Sequence, residues 1–190
     1  NKLIVDFEIS TQCNSYCPQC DRYEMGSEKL NKNTSNTKWS LEEFKERFDP
    51  DTLKHIDIFH FSGMRGDPAT MNQLPEVLSY IRESNSKTRI WVATNGSLQT
   101  EEWWWNLAVA GGEKLVVVFA VDGVNQEMHS RYRRNTNLEK ILNNLEVVAS
   151  TKAEAHIFTV VFKHNQDFVQ DIFEMSKNRG ATFQDMVDSN

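Results

Sequence analysis

One stretch, Leu115-Val-Val-Val-Phe-Ala-Val121, limits the architectures open to this chain more than any other. It is Val-rich and apolar on both faces, the composition of a strand buried in the middle of a parallel sheet. Parallel neighbours need crossover connections, so strand must alternate with helix along the chain. The remaining sequence meets that demand. Apolar runs predict further strands over residues 2–9, 56–61, 89–93, 155–162 and 181–187. Helical signals fall between them. Ser40-Leu-Glu-Glu43 is a capping box opening a helix through Phe48, with Asp49-Pro50 as its stop. Leu74, Val77, Leu78 and Ile81 have helical spacing, and Thr100 caps a helix closed by Gly111-Gly112. Asn137 opens an amphipathic helix on Leu138, Ile141, Leu142, Leu145 and Val148, and a last helix covers 165–179, with Asn165 as its cap and Gly180 as its stop. Units of about 30 residues in this order are right-handed βαβ repeats. Six are too few for a closed eight-stranded barrel.

Composition places the chain among single-domain soluble proteins. Its 190 residues are 39% hydrophobic and 25% charged, enough for one domain spanning 1–190 with a real core. A net charge of −6 argues against general nucleic-acid binding, although a nucleotide in a local basic pocket stays compatible. No run of about 18 apolar residues offers a membrane span, and no signal peptide precedes the first strand. The chain begins without Met, as if a few leading residues were trimmed. The cysteines, three in number and too close for a disulfide framework, point to a reducing compartment and a cytoplasmic protein.

Those three cysteines lie in Ile9-Ser-Thr-Gln-Cys-Asn-Ser-Tyr-Cys-Pro-Gln-Cys-Asp-Arg22, directly after the first strand. In α/β folds the carboxyl ends of the strands form the functional rim. Soft thiolates favour zinc or an iron–sulfur cluster. A closed zinc site wants four ligands and would need a distant His to complete it, and a four-cysteine ferredoxin cluster is likewise one ligand short. Clustered reactive thiols are the third reading.

The spacing Cys13-x3-Cys17-x2-Cys20 resembles the signature of the radical S-adenosylmethionine (SAM) enzymes. The resemblance implies a 4Fe–4S cluster on Cys13, Cys17 and Cys20, with the fourth iron chelated by the amino and carboxylate groups of SAM. Reductive cleavage of SAM would give a 5′-deoxyadenosyl radical that takes hydrogen from substrate, with an electron from a flavodoxin- or ferredoxin-type donor. It also implies the family's fold, a partial (β/α)6 TIM-like barrel with an open parallel sheet and outer helices. Gln19 departs from the aromatic residue that often precedes the third cysteine, but Cys-Pro-x-Cys occurs in some members.

The other strand ends extend the resemblance. Ser62-Gly-Met-Arg-Gly-Asp-Pro68 is similar to the family's Gly-Gly-Glu-Pro loop, which implies cofactor contacts from Gly63, Met64, Arg65, Gly66 and Asp67; as plain chemistry it is also a βα turn. Thr94-Asn-Gly96 matches a frequent family sequence, so Asn95 either bonds cofactor or substrate or simply makes a turn. Asp122-Gly123 stands where the family often has Ser-x-Asp-Gly, with Ala120 in the Ser position. Asp122 would accept from a ribose hydroxyl or a nearby basic group, since a buried unpaired carboxylate is costly. His129 and Arg131-Tyr-Arg-Arg134 resemble a stretch of the peptide-modifying members. It makes Arg133 the candidate for the SAM carboxylate, with Arg131 and Arg134 on a solvated face. Trp103-Trp-Trp105 points three ways from a helix and reads as packing, and His55, His60 and His156 read as structural. His164 carries no strong signal.

The resemblance is to the SPASM/twitch-type branch that modifies peptides or builds cofactors, so a peptide or small-molecule substrate is expected. No cysteine follows Cys20, so no auxiliary-cluster domain lies within these residues; either an extension follows Asn190 or the protein is a minimal version. A nucleotide substrate of the deazapurine or molybdopterin type is the alternative within the class. A metal-binding barrel without radical chemistry is the alternative outside it, motivated by Ala120 and opposed by the retained cysteines and Gly-Asp-Pro loop.

Overall fold

A computed structural model describes residues 2–25 and 27–189. Its centre is a six-stranded sheet in the order β1-β2-β3-β4-β5-β6, with every neighbouring pair parallel. The strands are β1 (Ile4–Phe7), β2 (Ile58–Phe61), β3 (Arg89–Thr94), β4 (Leu115–Ala120), β5 (Glu154–Val161) and β6 (Phe183–Asp188). β1 and β6 are the two ends of this order, so the sheet is open, as expected of a partial TIM-like barrel. β4 is buried along nearly its whole length, flanked by β3 and β5.

Helices fill the crossovers: α1 (Leu41–Arg47), α2 (Pro50–Leu53), α3 (Leu74–Ser84), α4 (Glu101–Gly111), α5 (Gln126–Ser130), α6 (Leu138–Ala149) and α7 (Val169–Lys177). Their predicted apolar stripes are the buried faces: Leu74, Val77, Leu78 and Ile81 on α3, and Leu138, Ile141, Leu142, Leu145 and Val148 on α6. The capping box of Ser40 and Glu43 forms, and Thr100 and Asn137 cap α4 and α6 through their side chains. Of the three tryptophans, Trp104 is fully buried while Trp105 is about half exposed (48%), the outcome expected of consecutive helical positions.

Three local expectations need correction. Asp49-Pro50 ends α1 but also starts α2, because Asp49 Oδ1 accepts from Thr52 N at 2.8 Å and Pro50 takes the first helical position. The first strand stops at Phe7, since its partner β2 pairs over only four residues and an antiparallel bridge from Ser10 to Lys38 then diverts the chain. Asn165 does not cap the last helix. Its side chain is buried at the end of β5, where Nδ2 donates to the carbonyls of Asp122 and Val160 at 3.0 Å each, and Oδ1 accepts from Phe162 N at 2.7 Å. Two unpaired backbone carbonyls at adjacent strand ends demand donors, and Asn165 supplies both.

Because all six strands run parallel, the cysteine loop, the 62–68 loop, Asn95, Asp122 and Phe162 gather on one rim.

Candidate functional site

The cysteine loop is held at both flanks. On one side lies the loop after β2. A Cβ on Gly66 would sit 1.9 Å from the carbonyl oxygen of Ser10, so only glycine permits this approach. Asp67 N then donates to the Gln12 carbonyl at 2.7 Å. On the other side lies the turn at 133–136. Tyr16 N and Ser15 Oγ both donate to the Arg134 carbonyl at 3.1 Å, and Asn135 Nδ2 donates to the Asn14 carbonyl at 2.7 Å. Asn135 takes a left-handed backbone (φ 59°), a conformation Asn tolerates. Within the loop, Cys20 N donates to the Cys17 carbonyl at 3.0 Å.

Polar hydrogens surround the sulfurs. Cys13 Sγ accepts from Ser15 N at 3.3 Å and from Asn95 Nδ2 at 3.6 Å. Cys17 Sγ lies 3.0 Å from Ser15 Oγ and 3.9 Å from Arg133 Nη1. Burial pushes the Cys13 thiol up to about 12, with the nearby Asp67 carboxylate adding to it, and burial also raises Cys20. Desolvated thiols of this kind stay protonated until a metal takes the proton's place. Soft donors flanked by N–H groups therefore fit an iron–sulfur cluster, whose sulfurs are tuned by such bonds. Among the described residues no three His, Cys, Asp or Glu side chains gather tightly enough for a single ion. Three thiolates that each bind a different iron of one cluster need no such convergence.

Asp67 is wholly buried, and its carboxylate faces the end of β3. Oδ1 accepts from Ala69 N and from Thr94 Oγ1, each at 2.9 Å, and Oδ2 accepts from Asn95 N at 2.7 Å. Burial raises its pKa despite these bonds. Asp67 thus fixes Asn95, while Gly63, Met64 and Arg65 form the exposed crest of the loop. Asn95 makes the turn foreseen as one of its two readings. Oδ1 closes a turn onto Ser97 N at 2.9 Å, and Nδ2 reaches Asn14 Oδ1 at 2.9 Å beside Cys13.

Asp122 is also wholly buried, and of the two partners foreseen it has found the basic one. Oδ2 accepts from Arg133 Nε at 2.6 Å and Oδ1 from Val160 N at 2.7 Å. Burial alone would lower the Arg133 pKa, but Asp122 and Cys17 outweigh it and hold the guanidinium above its ordinary range. The Arg133 side chain is 16% exposed and stacks 5.0 Å from the Tyr132 ring centroid. Arg131 and Arg134 are exposed, so the structure separates the three arginines.

Sequence reasoning left several contributors without a role. His129 is fully buried. Its Nδ1 accepts from Asp122 N at 3.2 Å, which leaves the proton on Nε2 to donate to Thr136 Oγ1 at 3.1 Å. Burial lowers its pKa to about 4. Thr94, Ser15 and Arg22 also shape the site, and although they lie within the quoted motifs, sequence reasoning assigned them no role. Their signal would be a polar residue at a strand end or two positions from a cysteine. Beside Cys20 opens a cavity of about 580 Å³, lined in part by Pro18, Tyr23, Asn31, Thr34 and Arg65.

Known proteins resemble the chain in sequence and fold. The sequence profile of the Radical SAM superfamily matches residues 7–175. The AdoMet-dependent heme synthase of Methanosarcina barkeri is 28% identical over 179 residues, covering 94% of this chain and 48% of that protein. The cysteine-type anaerobic sulfatase-maturating enzyme of Clostridium novyi is 23% identical over 181 residues, covering 92% and 47%. The chain thus spans about half the length of these relatives. In fold, it superposes on the crystal structure of Streptococcus suis SuiB bound to precursor peptide SuiA with a TM-score of 0.76, at 10% identity, over 100% of this chain and 40% of that one. Among the described residues no helix is long and apolar enough to cross a membrane. With the family profile covering most of its length and three cysteines on the rim of an open parallel sheet, the chain belongs to the radical SAM superfamily, a family of enzymes that use a 4Fe–4S cluster and S-adenosylmethionine.

Proposed function

We propose that residues 1–190 form a radical SAM core in which Cys13, Cys17 and Cys20 hold the 4Fe–4S cluster, and that it acts on a peptide. When bound, cluster and SAM supply a one-electron route to removing a hydrogen atom from substrate. The observation that carries the assignment is the position of Arg133 and Asn95, each with one N–H group directed at a cysteine sulfur.

The chain's own residues position and shield. Arg133 has its Nε committed to Asp122, so the Nη groups remain for the SAM carboxylate, which a planar guanidinium grips as a fork. The crest from Gly63 to Gly66 offers backbone carbonyls to the SAM ammonium group, with Met64 and Arg65 over it. Asp67 and Asp122 act on SAM through the groups they hold, Asn95 and Arg133. Exclusion of water and oxygen is the remaining task of the protein around such a cofactor.

The peptide reading rests on the sulfatase-maturating relative, whose name implies a protein substrate, and on the fold of SuiB. The similarity to a heme synthase supports a second reading, a tetrapyrrole. A flavodoxin- or ferredoxin-type protein would deliver the electron, in the cytoplasm.

The test is anaerobic reconstitution with iron and sulfide, then dithionite and SAM, with 5′-deoxyadenosine measured by mass spectrometry. Wild-type protein should form it and the Cys13→Ala, Cys17→Ala, Cys20→Ala variant should not. Stimulation by cysteine- or serine-containing peptides supports the peptide reading. Stimulation by a tetrapyrrole alone replaces it, and a colourless protein with stoichiometric zinc overturns the whole assignment.

A further inference from the structure

Arg22 is a buried cation without an anion. It is 3% exposed, yet among the described residues no carboxylate lies within 4 Å of it. Its Nη1 donates to the backbone carbonyl of Arg65 at 3.0 Å. The Nε group is buried and has no partner at all. The Tyr23 ring centroid lies 5.7 Å from the guanidinium carbon, a cation–π contact that brings no negative charge. The backbone leaves no freedom to escape, since the Arg22 carbonyl accepts from Asn31 N at 2.7 Å and Thr34 Oγ1 at 3.3 Å.

Burying an unpaired guanidinium is costly, and proteins accept it when a counter-charge is to come. A candidate is at hand, because the Arg22 charge acts on both Cys13 and Cys20. Arg22 sits two residues beyond Cys20 and bonds to the loop that flanks Cys13. A cysteinate-ligated cluster is anionic and becomes more so on reduction.

We infer that Arg22 is the internal counter-cation of the metal cluster held by Cys13, Cys17 and Cys20, and that it raises the cluster's reduction potential. The inference rests on the cluster reading proposed above. Arg22 is a positioning and tuning group here and touches no substrate. A positive charge close to the cluster favours the reduced, more negative state, and net charge and hydrogen bonding are the protein's levers on such potentials. The same charge is unfavourable when the cysteines are empty thiols.

That opposition in sign is the test. Wild-type protein and the Arg22→Met, Arg22→Gln and Arg22→Lys variants would be compared with and without reconstituted cluster. Iron content, the cluster midpoint potential by spectroelectrochemical titration followed by electron paramagnetic resonance, and thermal midpoint are the readouts. Arg22→Met and Arg22→Gln should lower the reduced-to-oxidised ratio at the wild-type midpoint about tenfold, equivalent to about 59 mV for a one-electron couple. Arg22→Lys should preserve it. Without cluster, Arg22→Met should melt no lower than wild type; with cluster, it should melt lower. Gln can still donate to the Arg65 carbonyl, so a purely structural tether predicts normal behaviour for Arg22→Gln and a loss for Arg22→Met in the empty protein. That outcome overturns the inference, as do equal potentials in all four proteins. A wild-type protein that takes up no iron overturns the cluster reading and the inference with it, whereas iron-loaded variants with unchanged potentials overturn the inference alone.

Discussion

Arg133 Nε meets Asp122 Oδ2 at 2.6 Å, and the carboxylate is completely withdrawn from solvent while the guanidinium still reaches toward Cys17. The pair therefore has an inner member that orients and an outer member that presents. Removing the inner charge strands a largely buried cation. Asp122→Asn should cost about 3–5 kcal/mol of stability, the range for breaking a buried ion pair. Arg133→Lys keeps the charge but not the fork. It should preserve most of the stability while weakening SAM binding about 10- to 100-fold, since a charge-assisted hydrogen bond contributes about 1.5–3 kcal/mol. Urea unfolding and equilibrium dialysis of SAM on the cluster-loaded protein separate the two effects. Equal loss of both properties in both variants would refute this division of labour.

The contact between Gly66 and Ser10 predicts a steep difference among glycines. An added methyl at Gly66 meets backbone at 1.9 Å, so the two loops must part; at Gly112 a methyl meets nothing within 4 Å, and the cost lies in a backbone (φ 60°, ψ −151°) that other residues rarely adopt. Gly66→Ala should destabilise by about 3 kcal/mol or more, in line with severe overpacking, and Gly112→Ala by less, within the range of about 1–3 kcal/mol for a strained backbone. Gly66→Ala should also lower iron uptake, because it moves the cysteine loop relative to Asn95. Denaturant midpoints and iron content check both. A Gly66→Ala protein as stable as Gly112→Ala would show that the close approach is not required.

The strands, helix faces and the cysteine loop were legible because their signals are local: both-face apolarity for β4, 3.6-residue spacing for α3 and α6, three thiols within eight residues. Roles that depend on a distant partner were not legible. Asp67 belongs to a turn by its own sequence, but its acceptors serve Thr94 and Asn95, 27 and 28 residues away. Asn165 has the look of a helix cap and instead bonds the Asp122 carbonyl 43 residues back. Arg22 follows the cysteines as one more charged loop residue, and only burial without a partner distinguishes it. Arg133 and Arg134 are chemically identical neighbours, and backbone direction alone decides which turns inward.

The three tryptophans of α4 should respond to truncation according to burial, not proximity to the rim. Trp104 is fully buried, and its indole N–H donates to the Leu98 carbonyl at 3.0 Å. Trp104→Ala loses packing, leaves a cavity and orphans that carbonyl, a change of about 3–5 kcal/mol. Trp105→Ala, on the exposed side, should stay within about 0.5 kcal/mol of wild type. Chemical denaturation reads both. A large loss at Trp105 would mean that this face is covered by something beyond the described residues.

His129 gives the protein a definite response to acid. Its pKa falls from an ordinary 6.5 to about 4 on folding, because burial disfavours the imidazolium. Above pH 6.5 the ring is neutral in both states and contributes no pH dependence. Between 6.5 and about 4 the unfolded chain binds a proton that the folded one refuses, so stability falls as the pH falls. Below about 4 both states are protonated and this contribution levels off. The full loss approaches about 3 kcal/mol at 1.36 kcal/mol per pKa unit. Asp67 works in the opposite direction, because its raised pKa makes the folded state the better proton acceptor on the acid side. The two are separated by difference. Urea midpoints of wild type and His129→Asn, measured from pH 7.5 to 4, should converge as the pH falls, because the variant lacks the histidine contribution and keeps that of Asp67. Parallel curves would show that His129 titrates alike in both states, and that its bonds to Asp122 and Thr136 do not hold it neutral.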